Sequence, residues 1–123
     1  NVFLTGFVRN EEKIRTYMNA GVFILPSYTE GMPTTMLEAM SFGIPVISRP
    51  VGGIPDFFIN DKMGYLIESK DPADFSDKII DLYSDKCKWE EISKFNHEYA
   101  RANFLASHLV FDLMSFYEQI YKR

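Results

Sequence analysis

One cysteine, Cys87, stands among 123 residues, so an internal disulfide is excluded; flanked by Lys86 and Lys88 it reads as helix surface rather than part of a metal cluster, and such cysteine usage suits a reducing, cytosolic compartment. Long apolar runs are missing too. The longest, such as the stretch Gly21 to Pro26, fall far short of the roughly 20 residues needed to cross a bilayer. No basic run occurs and the formal net charge is -4, which argues against nucleic-acid binding, since affinity for phosphate backbones comes mainly from Lys and Arg. The chain also opens without Met or a signal peptide, directly on the strand-like Val2 to Thr5, and reads as a piece of something longer. What is present is ordinary globular material, 46% hydrophobic and 24% charged with both signs interspersed, in a length that suits one domain.

Strand and helix signals alternate along the first two thirds. Val2–Thr5 reads as a short strand, and Asn10 followed by Glu11 and Glu12 reads as an N-cap with acidic residues at the positive end of a helix dipole, opening a helix to about Ala20. Val22–Leu25 is an unbroken apolar run of the kind buried on both faces of a parallel sheet. A loop from Ser27 to Pro33 leads into a helix from Thr34 to Phe42, closed by Gly43 with Pro45 beyond. Val46–Ser48 is a third strand, Val51–Pro55 a second tight loop, Asp56–Asn60 a helical turn and Gly64–Ile67 a fourth strand. After Asp71-Pro72, a capping residue and a first-turn proline, three helices follow, at roughly Ala73–Tyr83, Trp89–Ala102 and Leu105–Tyr121. The expectation is a three-layer, Rossmann-like α/β unit with a parallel sheet of about four strands and a helical C-terminal tail.

In open parallel sheets ligands sit beyond the carboxyl ends of the strands, and two loops there are unusual. Ser27–Thr34 sets Glu30, Gly31 and hydroxyls immediately before a helix N-terminus, where free N–H groups favour an anion such as phosphate. Val51–Pro55 carries the pair Gly52-Gly53, which lets backbone approach a ligand or simply serves turn geometry. Glu38 lies three residues after Thr35, a capping-box spacing, and by spacing alone would bond the backbone at the helix start. Glu30 reads equally as a ligand carboxylate or as a surface glutamate. Arg9 and Arg49 are the cations nearest these loops; each could touch phosphate, but a solvated surface position is the plainer expectation. His97 and His108 fall in the helical tail, where a structural role is expected. Phe104, Phe111, Phe116, Tyr117 and Tyr121 have roughly helical spacing and read as packing.

The run from Ser27 to Ser48, with Glu30 and Glu38 separated by seven residues, followed by Val51-Gly-Gly-Ile-Pro55 and Asn60–Ile67, resembles the signature of the family-4 glycosyltransferases, from about Asn1 to about Leu82. The resemblance implies residues 1–123 to be a single partial domain, the C-terminal, nucleotide-sugar-binding half of a two-domain GT-B fold, with its first strands and its N-terminal acceptor domain absent. It implies a retaining, metal-independent hexosyltransferase that takes a nucleotide diphosphate sugar and serves surface polysaccharide or glycoconjugate synthesis. Glu30, as the catalytic-site carboxylate, would accept hydrogen bonds from donor-sugar hydroxyls and Glu38 from the two ribose hydroxyls; the N–H groups of Gly31 and Met32 would face the sugar and those of Thr34 and Thr35 the diphosphate, with Gly52 and Gly53 beside the donor. Gly6, Phe7 and Val8 would lie near the base. No Asp-x-Asp pair occurs, and neither metal nor cofactor is expected. The location implied is cytoplasmic, with peripheral membrane contact through the missing domain, and the final helix would cross toward that domain, leaving some aromatic rings exposed without it. Two other readings stay open: another GT-B enzyme, such as a nucleotide-sugar epimerase or a glycogen or sucrose synthase, and a non-catalytic flavodoxin-like interaction module.

Overall fold

The computed structural model describes residues 2–121, apart from the side chains at positions 108, 109, 112 and 119. Element order is α1 (Asn10–Met18), β1 (Phe23–Leu25), α2 (Thr34–Ser41), β2 (Val46–Ser48), a 3-10 turn (Ile54–Asp56), β3 (Gly64–Leu66), α3 (Pro72–Ser84), α4 (Lys86–Asn103) and α5 (Ala106–Tyr121). The three strands pair in parallel in the order β1-β2-β3, with Phe23, Val46 and Gly64 in register. The fold is therefore the α/β class that the alternation implies, with three strands among the described residues in place of about four.

The missing strand is Val2–Thr5. Its apolar side chains stand in solvent, Val2 at 88% and Leu4 at 96% exposure, and no strand lies beside it. A strand needs a partner edge for its N–H and C=O groups, and an apolar run by itself does not supply one.

Central strand β2 is buried over its whole length, and the period of two sends its side chains to opposite faces. Val46 joins Met36 and Met40 of α2, Ile54, Phe58 and Met63, whereas Ile47 joins Tyr65, Ile67, Phe75 and Leu82 of α3, and Ile92. Each such aliphatic side chain contributes about 1.5–3 kcal/mol on burial. Helix α4 serves both cores, Ile92 in the second and Ala100 in the first. It is fixed by Asn96, whose buried Nδ2 donates to the carbonyls of Ile44 at 2.9 Å and Met63 at 3.0 Å.

Local chemistry sets several boundaries. Helix α2 ends in a Schellman turn: Gly43 adopts φ +73, its N–H donates to Met40 C=O and that of Ile44 donates to Ala39 C=O. Asp71 caps α3, accepting from Ala73 N–H at 2.9 Å with Pro72 in the first turn. Helix α4 begins earlier than its apolar pattern implies, at Lys86, because Asp85 accepts from Lys88 N–H at 3.0 Å. Asn10 is a correction. The cap of α1 is Arg9, with no side-chain bond, and Asn10 is the first helical residue at φ +50. Cys87 is exposed on α4, as expected.

The tail divides. Phe104 packs edge-on against Phe57 and Tyr99 at ring separations of 5.5 and 5.6 Å. Phe111, Phe116, Tyr117 and Tyr121 are exposed instead of packed, since α5 leaves the sheet and no described element covers that face.

Candidate functional site

Helix α2 starts at Thr34 behind Pro33, and Thr35 and Glu38 form no capping box: no side chain caps this helix. The backbone N–H groups of Thr34 and Thr35 find no partner among the described residues, so the positive end of the helix is free to hold an anion. Glu38 turns away from its own helix start toward α1. Its Oε1 receives Lys13 Nζ at 2.7 Å, and its Oε2 lies 3.0 Å from the Tyr17 hydroxyl, which is also 3.2 Å from Thr35 C=O. Tyr17 stacks on Phe42 just past the end of α2, centroids 5.3 Å apart. These contacts tie α1, which buries none of its own residues, to α2.

The hydrogen bond from Lys13 holds the Glu38 carboxyl below the usual glutamate range, against partial burial, with Tyr17 adding to the effect. Burial, then the bond and repulsion from Glu38, push the Tyr17 phenol up to about 12. Glu38 is thus an ionised acceptor at neutral pH. A depressed carboxyl contributes stability that is present above its unfolded value and lost as pH falls through the folded value. Because both side chains are about two-fifths exposed, that contribution is only about 0.2–1 kcal/mol. Lys13→Met is expected to raise the Glu38 midpoint toward about 4.3, read by carboxyl-carbon NMR against pH. An unmoved midpoint would assign the depression to something other than Lys13.

Together α1, α2 and the chain before α1 enclose a cavity of about 660 Å³ lined by Gly6, Phe7, Val8, Lys13, Tyr17, Thr34, Thr35 and Glu38. Three separate stretches of sequence converge here. Arg9 also borders it, its guanidinium 4.7 Å over the Phe7 ring.

Glu30, Gly31 and the Gly52-Gly53 pair form a second group that does not line this cavity. Gly53 N–H donates to Gly31 C=O at 2.9 Å. Gly52, at φ +59, lies so close that a Cβ would stand 1.9 Å from the Glu30 carbonyl oxygen. The close approach these glycines permit is therefore between the two loops. The half-buried Glu30 carboxylate meets no described partner, and Met32 is half exposed.

Among the remaining candidates, His97 is structural as expected, its Nδ1 2.7 Å from Ser41 C=O; the side chain of His108 lies outside the described residues. Arg49 is a correction: expected in solvent, it is only 6% exposed, covered by Tyr28 and Phe75. Sequence reasoning missed Lys13 and Tyr17. Their placement one turn apart on α1 was visible, but nothing in the sequence aimed them at Glu38.

The sequence profile described as "Glycosyl transferases group 1" matches residues 1–102. A sulfoquinovosyl transferase from Arabidopsis thaliana is 36% identical over 97 residues, covering 76% of this chain and 19% of that protein. Spore coat protein SA of Bacillus subtilis is 31% identical over 115 residues, covering 92% and 30%. In structure, sucrose-phosphate synthase from Thermosynechococcus elongatus superposes with TM-score 0.78 at 27% identity over 87% of this chain and 27% of that one. The C-terminal domain of a Francisella tularensis glycosyl transferase group 1 protein gives 0.71 at 26% identity over 82% and 52%. The chain thus spans less than a third of the length of these two curated relatives. With its parallel α/β sheet, the match over residues 1–102 and this structural kinship, the chain belongs to the group 1 glycosyl transferases, of GT-B fold.

Proposed function

We propose that this chain is the donor-binding part of a glycosyltransferase, holding a nucleotide diphosphate sugar whose hexosyl group passes, with retained anomeric configuration, to an acceptor bound by a further domain. The observation that carries the reading is Glu38: an ionised carboxylate on a cavity of nucleotide dimensions, one helical turn from the unpartnered N–H groups of Thr34 and Thr35. A carboxylate accepting from two vicinal hydroxyls suits a ribose, and free N–H groups at a helix start suit a diphosphate. The Gly6–Val8 wall takes the base, and Glu30, with the N–H groups of Gly31 and Met32, takes the sugar.

Chemistry in such a site is largely positioning. As the anomeric bond opens, the sugar gains oxocarbenium character and negative charge grows on the leaving diphosphate, where fixed N–H dipoles stabilise it without reorganising. Glu30 orients the sugar through its hydroxyls. This reading calls on backbone dipoles rather than a divalent ion, and it puts the protein in the cytoplasm in surface polysaccharide or glycoconjugate synthesis; among the described residues no helix is long and apolar enough to cross a membrane.

A backbone-amide NMR titration with UDP, GDP and ADP tests it. Expected are saturating shifts at Gly6–Val8 and Gly31–Glu38 for one base in preference to the others, unchanged by EDTA. Absence of shifts at millimolar nucleotide, or shifts only elsewhere, would reject the assignment.

A further inference from the structure

Arg49 follows β2 on the face of the sheet that α3 covers, the face opposite Glu38. It is 6% exposed, and its Nε is buried without a hydrogen-bond partner. Among the described residues the guanidinium makes no ion pair; the pairs formed are Lys13–Glu38, Arg15–Glu11, Lys86–Glu90 and Lys88–Asp81. Its contacts are aromatic faces, Tyr28 at 4.6 Å and Phe75 at 5.8 Å from the guanidinium carbon. Over the same Tyr28 ring stands Lys70, its Nζ 5.9 Å from the centroid and itself without an ion pair among the described residues. Both cations line a cavity of about 340 Å³ with Ile24, Pro26 and Pro72, and no carboxylate lines it.

A buried cation without a counter-charge is unfavourable, and cation–π contacts offset only part of the lost hydration. Two cations around one aromatic ring, at the carboxyl ends of β1 and β2 where α/β folds bind ligands, lack an anion. We propose that Arg49, Lys70 and Tyr28 form a second anion site, separate from the Glu38 cavity, that takes a phosphate-class dianion. The planar guanidinium engages two oxygens of the tetrahedral group, Lys70 supplies a point charge to a third from the surface, and the Tyr28 ring lies against both cations. Two positive charges with no lining acid match a dianion better than a single carboxylate. The proposal does not rest on the donor assignment, since no residue is shared between the linings of the two cavities.

The test follows the Arg49 Nε–Hε resonance while this chain is titrated with sodium phosphate, sodium acetate or UDP, at constant ionic strength maintained with chloride. Expected is a saturating shift with phosphate, weaker with acetate, that is roughly two- to fivefold weaker in Lys70→Met, as suits one exposed charge; in Arg49→Gln, which lacks this resonance, the phosphate-dependent shifts of the Tyr28 and Lys70 backbone amides should be lost. Lys70 is on the surface, so its variant remains informative should Arg49→Gln fail to fold. A linear drift equal to that in chloride, insensitivity to Lys70→Met, saturation by acetate alone, or a shift only with UDP and in step with Glu38 would each overturn the proposal.

Discussion

Alanine at Gly52 is expected to destabilise the chain by roughly 2–5 kcal/mol, while alanine at Gly31, one loop away, leaves stability within about 0.5 kcal/mol of wild type. Gly52 sits at φ +59, where an L-residue costs about 1–2 kcal/mol. Its Cβ would also stand 1.9 Å from the Glu30 carbonyl oxygen and 2.6 Å from its carbon. Both are backbone atoms with no flexible end to swing away, so the loops must part, at an overpacking cost of about 1–3 kcal/mol. Parting them breaks the 2.9 Å bond from Gly53 N–H to Gly31 C=O. Gly53 makes an internal control: with φ -82 and a Cβ that would lie 3.1 Å from Gly31 C=O, its alanine variant calls for a shift of tenths of an ångström. A Cβ at Gly31 meets nothing within 4 Å. Urea unfolding of the three variants should rank Gly52 well above Gly53 and Gly53 above Gly31. Equal midpoints for Gly52→Ala and Gly31→Ala would mean that the loops are not braced as described. If Glu30 and Gly31 receive the donor sugar, Gly52→Ala also weakens nucleotide-sugar binding more than nucleotide binding, because it displaces the sugar end alone.

This brace shows which parts of the molecule were legible in the sequence. Gly43 with Pro45, and Asp71 with Pro72, announced helix ends because capping is settled within a few residues of chain. The strand at Val22–Leu25 was legible as an unbroken apolar run, but it forms the edge strand Phe23–Leu25, with Ile24 41% exposed rather than covered on both faces. Val2–Thr5 carried the same apolar signal and forms no strand, since pairing depends on a neighbour that composition does not reveal. Glu38 illustrates the limit at the site. Its spacing from Thr35 pointed to a capping box, and its real partner lies 25 residues earlier on α1. Lys13 acts only through tertiary placement, which no local pattern encodes. Arg49 went astray for the same reason, because its burial is produced by Tyr28 and Phe75, each more than 20 residues away in sequence. The Gly52-Gly53 pair was legible as a place of close approach, but not what would approach it.

The largest functional effect is expected at Glu38. Each charge-assisted hydrogen bond from a ribose hydroxyl contributes about 1.5–3 kcal/mol, so Glu38→Ala should weaken nucleoside diphosphate binding at least about tenfold, each tenfold corresponding to about 1.4 kcal/mol. Loss of affinity alone would not identify the contact, since removing the carboxylate also frees Lys13 and Tyr17 and loosens α1 against the cavity. A cycle with 2′-deoxy nucleotide separates the two causes. In wild type the deoxy ligand should bind about tenfold more weakly than the ribonucleotide, whereas in Glu38→Ala the two should bind alike, because the acceptor for the missing hydroxyl is gone. Equal discrimination in both proteins would show that Glu38 supports the cavity wall without touching ribose. The pH dependence supplies a second criterion. With its carboxyl held below the ordinary glutamate midpoint of about 4.3 by Lys13, Glu38 stays an acceptor to lower pH than a free carboxyl. Beyond the change at about pH 6 that the ligand's terminal phosphate imposes on both proteins, wild-type affinity should hold to lower pH than that of Lys13→Met. In Lys13→Met the fall in affinity should begin nearer that midpoint. A coincident fall in the two proteins would remove Lys13 as the residue that keeps the ribose carboxylate charged.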